Sequence, residues 1–284
     1  MNPKTRKRKR NGATLLILAV VLLIAGATAI ITPIMIVELE LHQDTEEYEQ
    51  LGERFRIAPT TSDPAQMPEM AMIPSLTAPY SVKTGRTGVD LAACKTENDD
   101  FIAWLQIPGT TVDYPVVLTN DTKHYLNHTF TGKRSFLGTL FSLGKTDYRT
   151  PGKNIAIYGH HIRSNSQVMF SPLLSYKDQS FYANHQTIYL DSLYHSDTYI
   201  VFAVINMRSG DWDSSAAAFA SDDEFLAYIH RAKSLSLYET GVEVTAKDQV
   251  LTLITCDRSF IPKYGRLVIM AVRQEPGEYQ LYNR

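Results

Sequence analysis

The sequence predicts a mostly β fold: an eight-stranded, closed or nearly closed β-barrel with added helices, preceded by one transmembrane helix. The main helix is predicted from Asp222 to about Lys233, between the sixth and seventh strands, where apolar residues recur on one helical face. Eight short apolar runs bounded by turn residues predict strands at 103–107, 112–117, 138–143, 154–159, 186–191, 198–207, 249–256 and 265–273.

The main helix has a recognisable start. Ser221 and Glu224 form a Ser-x-x-Glu capping box, in which the hydroxyl and the carboxylate each bind a free backbone N–H group. The face predicted to be buried carries Phe225, Tyr228, Ile229 and Ala232. A second, shorter helical stretch near 88–100 precedes the first strand.

The N-terminus has the pattern of a membrane anchor. Residues 1–12 carry six basic side chains and no acid, and residues 13–37 then run for 25 positions without a charge. A bilayer core needs about 20 apolar residues, and basic flanks stay in the cytoplasm. We therefore predict a single-pass protein of the cell membrane, with a cytoplasmic tail and everything beyond the anchor outside. The alternative is a cleaved signal peptide, because residues 25–29 are small.

The charge of the exported part limits the partners that it can bind. Without the six basic residues of the tail, 22 basic and 30 acidic side chains leave it with a formal charge of −8. We expect no nucleic-acid partner, since such proteins present a basic surface. The Lys/Arg cluster at residues 4–10 is explained by membrane topology.

Residues 38–89 are predicted to be a stalk or linker between the anchor and a folded domain at 90–284. The segment is rich in acidic and small polar residues, and its prolines exclude long regular structure: Pro59, Pro64, Pro68, Pro74 and Pro79. An alternative is that the segment folds back on the domain as a lid.

Three chemically active side chains are predicted at strand ends. Strand 249–256 ends on Cys256, strand 265–273 begins with Arg266 at its second position, and strand 154–159 runs directly into His160 and His161. If these strands are neighbours, thiol, guanidinium and imidazole meet at one edge of the sheet. A thiol nucleophile needs a base or an imidazolium, and the oxyanion that it forms on a carbonyl needs fixed donors.

These residues resemble the sortases, membrane-tethered cysteine transpeptidases of Gram-positive surfaces. The cysteine motif reads TLITC at 252–256, and the histidine stands in a Tyr-Gly-His context that is followed by Met-Phe-x-x-Leu at 169–173, which is similar to class B. The run Trp104–Thr110 and the run Asp113–Val117 are similar as well, so the resemblance spans about 99–272. It implies a sortase-like barrel with a helix between its sixth and seventh strands.

The resemblance also implies the activity and the partners. A sortase cuts the C-terminal sorting signal of an exported protein and joins the new carboxyl end to an amine of a cell-wall precursor or of a pilin subunit. No cofactor and no metal are expected. His124 and His128 have a spacing of four that a metal could use on a helix, but the segment between them lacks the Glu of a zincin helix.

The resemblance assigns the catalytic residues. Cys256 is the nucleophile, His160 the acid and base, and Arg266 the group that holds the substrate and its oxyanion. His161 is the alternative base. Arg258 and Lys263 are alternative cations, although both fall in the loop between the two strands, where a charge is easily solvated.

Three further residues are candidates for substrate binding: Thr255, Leu126 and Asp257. The negative charge of Asp257, directly after the nucleophile, would oppose thiolate formation unless it points elsewhere. The other cysteine, Cys94, is expected to be a half-buried helical thiol, and a Cys94–Cys256 disulfide is the structural alternative.

Two rival functions use the same residues differently. A cysteine peptidase would release the same acyl-enzyme with water instead of an amine. A membrane-anchored binding or structural protein would keep the barrel without the chemistry, although the presence of all three catalytic side chains argues against it.

Overall fold

A computed structural model describes residues 3–57, 86–121, 123–162 and 167–274. The chain divides into two compact units, residues 1–46 and 47–284. The first helix, α1 (Pro3–Phe55), begins in the first unit and ends in the second. By length and composition it can cross a membrane, since its apolar part has the required span.

The second unit is a closed barrel of eight strands in the order β1-β2-β3-β4-β7-β8-β6-β5. Among the described strand pairs, β2–β3 and β4–β7 are parallel and the others are antiparallel. The strands are β1 (Phe101–Gln106), β2 (Asp113–Thr119), β3 (Leu140–Leu143), β4 (Asn154–Tyr158), β5 (Thr187–Ser192), β6 (Ser196–Arg208), β7 (Val250–Cys256) and β8 (Gly265–Arg273). Every predicted strand is present, and its ends differ from the prediction by no more than two residues.

Within the residues that the structure describes, four shorter helical segments accompany the barrel. They are α2 (Leu91–Glu97), a 3-10 helix (Ser171–Lys177), α3 (Gln179–Asn184) and α4 (Asp222–Leu235). The helix α4 lies between β6 and β7 as predicted and extends two residues beyond the predicted end. Its N-cap is the predicted Ser221, whose Oγ accepts from the Glu224 N–H at 3.2 Å. The Glu224 carboxylate accepts from Ala220 N–H instead of from the N-cap residue itself.

The barrel wall is buried on both faces where α4 covers it. The helix α4 contacts β6, and Ile254, Val268 and Met270 on one face of β7 and β8 belong to a single buried apolar cluster with Phe225 and Ile229 of α4. Because side chains alternate along a strand, the residues between them face the barrel interior. This alternation places Cys256, two residues beyond Ile254, on the outer face.

The end of α1 belongs to the barrel unit. Tyr48, Leu51 and Phe55 recur at helical spacing and are each no more than 6% exposed, and Arg56 pairs with Val89 in a short β-bridge. The folded unit therefore begins near Glu47, whereas the predicted stalk ran to residue 89. The apolar stripe of Tyr48, Leu51 and Phe55 explains why the folded unit begins earlier than predicted, because these side chains are buried in it. The proline-rich part of the predicted stalk, with the lid alternative, lies outside the described residues.

Candidate active site

Three neighbouring strands bring the predicted catalytic residues to one edge of the sheet. Strands β4 and β7 are parallel, so their C-terminal ends share an edge, and β8 begins at the same edge because it runs antiparallel to β7. In the β7–β8 pair, Cys256 lies directly opposite Arg266. The two side chains therefore project from the same face.

The strand register also brings His160 to this edge. Tyr158 pairs with Ile254 across β4–β7, and the Gly159 N–H donates to the Ile254 carbonyl at 3.2 Å. His160 lies two residues after Tyr158, and Cys256 lies two residues after Ile254. The Thr255 hydroxyl also donates to the Gly159 carbonyl at 2.8 Å, so the residue before His160 and the residue before Cys256 are in direct contact.

The imidazole of His160 is half-buried and oriented by a backbone carbonyl. Its Nε2 lies 2.8 Å from the Leu126 carbonyl oxygen. Because a carbonyl oxygen only accepts, Nε2 must carry a hydrogen, and Nδ1 is the nitrogen whose protonation can change. The His160 carbonyl in turn accepts from the Phe170 N–H at 2.9 Å. The alternative base, His161, is only 6% exposed.

The guanidinium of Arg266 is half-buried, and its Nη1 donates to the Gly265 carbonyl at 2.9 Å. The same carbonyl accepts from the Asp257 N–H at 3.0 Å, which closes the β7–β8 loop beside the cysteine. The competing cations, Arg258 and Lys263, are exposed in that loop, and the Lys263 amino group lies 5.5 Å from the centre of the Tyr264 ring.

Two of the three predicted substrate-binding side chains point into the protein. Thr255 is 2% exposed, and its hydroxyl donates to the Gly159 carbonyl at 2.8 Å, which joins β7 to β4. Asp257 is completely buried. Leu126 is 38% exposed, and its carbonyl contacts the catalytic histidine candidate. Of the three, Leu126 is therefore the one whose side chain is open to a ligand beside the site.

The carboxylate of Asp257 is neutralised by a residue that the sequence analysis did not single out. Lys177, at the end of the 3-10 helix, forms an ion pair with it, and Ser259 donates to it through both Oγ and N. Burial raises the pKa of Asp257, but the hydrogen bonds from Lys177 and Ser259 outweigh burial and hold it below its ordinary value. The charge expected to oppose thiolate formation is thus paired. No sequence signal links two residues 80 positions apart.

The two cysteines are free and have different environments. Cys256 is partly exposed, whereas Cys94 is completely buried in α2, which is deeper than the expected half-buried position. Burial raises the pKa of the Cys94 thiol, and the nearby Asp90 raises it further. Cys94 is therefore an inert structural thiol, and the disulfide alternative is wrong for this structure.

The fold and the site define a class: cysteine enzymes whose reactive side chains lie on the outer face of a closed β-barrel. Comparison with known proteins gives the family. A sequence profile of the Sortase domain matches residues 105–274. Sortase B of Listeria monocytogenes is 32% identical over 176 residues, which cover 61% of this chain and 69% of the relative. Sortase B of Staphylococcus aureus is 29% identical over 174 residues, which cover 61% and 70%.

Solved structures show the same architecture. Clostridium perfringens sortase B is 28% identical with a TM-score of 0.60, and the match covers 65% of this chain and 99% of that one. The structure described as a Staphylococcus aureus sortase B-substrate complex shares the fold, with a TM-score of 0.67 at 23% identity over 84% of this chain and 99% of that one. The chain belongs to the sortase family and resembles its class B, which makes it a cysteine transpeptidase.

Proposed function

We propose that this enzyme cuts the C-terminal sorting signal of an exported protein and transfers the new carboxyl end to an amine, with Cys256, His160 and Arg266 as its catalytic residues. The observation that supports the assignment best is the direct opposition of Cys256 and Arg266 across β7–β8, with His160 extending the neighbouring strand. The acceptor is an amine of a cell-wall precursor or of a pilin lysine.

In the first step the Cys256 thiol passes its proton to His160, and the sulfur attacks the scissile carbonyl carbon to form a tetrahedral oxyanion. Collapse of this intermediate breaks the carbon–nitrogen bond, and His160 gives a proton to the leaving amine. The product is a thioester on Cys256. In the second step the acceptor amine attacks the thioester, His160 takes up the proton, and the thiolate leaves. The Nδ1 of His160 is the atom suited to both transfers, since Nε2 is held by the Leu126 carbonyl.

Arg266 supplies the fixed positive donor that the oxyanion needs. Its guanidinium is planar and always charged, so it can offer two parallel N–H groups to a carbonyl oxygen or to an extended peptide. The Gly265 carbonyl holds Nη1 and so restricts the orientation of the guanidinium plane before substrate arrives. Such preorganisation lowers the cost of stabilising charge that appears only in the transition state.

The test is to incubate the full chain in detergent with candidate sorting peptides and an amine, and to follow the products by mass spectrometry. Transfer should give a peptide joined to the amine, whereas a peptidase would give only the free acid. Cys256→Ala should form no acyl-enzyme. His160→Ala should slow turnover by about 10²–10⁴, and His161→Ala is the matched control that should keep activity. The reverse result for the two histidines would reject the assigned base.

The role of Arg266 needs its own variant. Arg266→Lys keeps the charge but loses the planar pair of donors, so turnover should fall if the guanidinium holds the oxyanion or the peptide backbone. Arg258→Lys, in the neighbouring exposed loop, is the control for a general change of cation. Near-normal turnover of Arg266→Lys would reduce Arg266 to a local counter-charge.

We also propose the membrane arrangement: a cytoplasmic tail at 1–12, an anchor at 13–37 and a catalytic domain outside the cell. The apolar stretch of α1 and the basic residues that precede this stretch in the sequence support this topology. Protease added to intact protoplasts should remove the catalytic domain. Protection of the domain would reject the orientation, and a mature protein that begins near Ile30 would reject the anchor.

A further inference from the structure

Tyr48 is buried on the penultimate turn of α1, within the barrel unit, far in sequence from every catalytic residue. It is 5% exposed, and its hydroxyl contacts three groups of the segment 125–139. This segment contains the Leu126 carbonyl that holds the His160 imidazole. The contacts of Tyr48 lead to His160 by two separate routes.

The first route runs through the segment 125–139. The Tyr48 hydroxyl donates to the Gly138 carbonyl at 2.5 Å, accepts from the Phe130 N–H at 3.2 Å and lies 3.0 Å from the Thr139 Oγ1. The Thr139 N–H donates to the Tyr125 carbonyl at 2.8 Å, immediately before Leu126. The hydroxyl therefore ties Phe130 to Gly138 and Thr139, and the Thr139 backbone is bonded in turn to Tyr125, the residue before Leu126.

Gly138 shows how tightly this point is packed. A Cβ at Gly138 would lie 2.4 Å from the Tyr125 carbonyl oxygen and 3.0 Å from that of Leu126. Its φ of +62° also favours glycine. Because the Gly138 backbone packs directly against the carbonyl groups of Tyr125 and Leu126, a displacement of Gly138 is passed to the Leu126 carbonyl.

The second route reaches the backbone of His160. The Tyr48 ring packs edge-to-face on the Tyr114 ring, with centroids 5.5 Å apart and an interplanar angle of 88°. The Tyr114 hydroxyl accepts from the Met169 N–H at 3.2 Å. The next residue, Phe170, donates its N–H to the His160 carbonyl at 2.9 Å. One buried side chain therefore supports the histidine on its imidazole side and on its backbone side.

We propose that Tyr48 is a positioning residue for His160, which makes the end of α1 part of the catalytic apparatus. The proposal rests on the catalytic role proposed above for His160. Tyr48 touches neither substrate nor the reacting atoms, so it acts through the Leu126 carbonyl and through the Tyr114–Met169–Phe170 contacts. Loss of its hydroxyl should lower the fraction of enzyme in which the imidazole is correctly oriented.

The experiment compares Tyr48→Phe with Tyr182→Phe in the full chain in detergent. Tyr182 is a matched control, since it is also 5% exposed and its hydroxyl donates to a backbone carbonyl, that of Val201, at 3.3 Å. For Tyr48→Phe we expect kcat to fall about 5–10-fold, the equivalent of one lost hydrogen bond, with the KM for the peptide changed less than twofold. Tyr182→Phe should keep kcat. Thr139→Ala, which removes one of the three partners, should give a smaller fall in the same direction.

The second measurement does not depend on turnover. Long-range ¹H–¹⁵N spectra of histidine-labelled protein report which ring nitrogen carries the proton, and His160→Gln assigns the signal. The His160 signal should have the Nε2–H form in the wild type and move towards a tautomer average in Tyr48→Phe. An unchanged His160 signal in Tyr48→Phe would overturn the proposal. So would an equal fall in kcat in Tyr48→Phe and Tyr182→Phe at an equal loss of melting temperature.

The two proposals can fail separately. Normal turnover in His160→Ala would reject the catalytic role, while the tautomer signal would still show whether Tyr48 positions the ring. Normal turnover and an unchanged signal in Tyr48→Phe would reject the positioning role and leave the catalytic assignment standing.

Discussion

The substitution Lys177→Met tests whether the buried ion pair behind the nucleophile is needed for the fold. The Lys177 side chain is 29% exposed, whereas that of its partner Asp257 is completely buried. Methionine keeps the length of the side chain but removes its charge. Ser259 still donates to one carboxylate oxygen, at 2.6 Å from its hydroxyl, so the carboxylate keeps part of its hydrogen bonding and loses its counter-charge.

Removing one partner of a buried ion pair typically costs about 3–5 kcal/mol, because the other charge stays buried and uncompensated. We take about 3 kcal/mol as the expected loss, since Lys177 itself is partly solvated. For a domain of this size 1 kcal/mol corresponds to about 2–4 °C in melting temperature. The melting temperature at pH 7 should therefore fall by about 6–12 °C.

The pH dependence has a definite sign. In the wild type the folded-state pKa of Asp257 lies below its ordinary value, so its contribution to stability is present above about pH 3.9 and is lost as the pH falls through the lowered value. Without Lys177, burial should raise the pKa of Asp257. As the pH falls, Asp257 would therefore be protonated in the variant before it is protonated in the wild type, which removes the uncompensated buried charge. The difference in melting temperature between variant and wild type should narrow as the pH is lowered from 7 to 4.

The assay is thermal denaturation of the full chain in detergent, with Lys233→Met as the matched control. Lys233 is 32% exposed, close to Lys177, but its partner Glu243 is 85% exposed. A surface pair of this kind contributes about 0–1 kcal/mol. If Lys177→Met lowers the melting temperature no more than Lys233→Met does, the buried ion pair contributes no more to stability than an exposed one. That result would refute the reasoning.

Three further predictions concern residues around the site and on α4. Iodoacetamide should label Cys256 but not Cys94 in the folded protein, because Cys94 has no exposed surface; labelling of both before unfolding would contradict the burial. Gly265→Ala should abolish turnover and lower the melting temperature, because the added Cβ would lie 2.0 Å from the Asp257 carbonyl oxygen; normal values for both would show that the loop adapts. Ser221→Ala should lower the free energy of unfolding by about 1 kcal/mol, because it removes the N-cap of α4, and should leave turnover unchanged. A loss of turnover in protein that is still folded at the assay temperature would give Ser221 another role.

Local patterns in the sequence were sufficient for the eight strands, for α2 and α4 and for the catalytic candidates, whereas the 3-10 helix Ser171–Lys177 and α3 were not predicted. The β strands follow from alternating or continuous apolar runs, and α4 from its helical spacing and its serine cap. Strand ends brought Cys256, Arg266 and the pair His160 and His161 together as a hypothesis, and the resemblance to the sortases selected His160. The period of two along β7 also carried the signal that Thr255 projects to the face opposite Cys256, which the prediction of Thr255 as a substrate-binding residue did not use.

Contacts between distant parts of the chain were decided only by the tertiary structure. Three such contacts join segments that lie 80 to 100 residues apart: the parallel β4–β7 pair, the ion pair of Lys177 with Asp257 and the hydrogen bond of Tyr48 to Gly138. For the same reason, the sequence alone placed the start of the folded unit at 90, although the apolar stripe at the end of α1 is buried in it. A sequence pattern records which face of an element is apolar, but the surface that covers this face is chosen by packing of the whole chain.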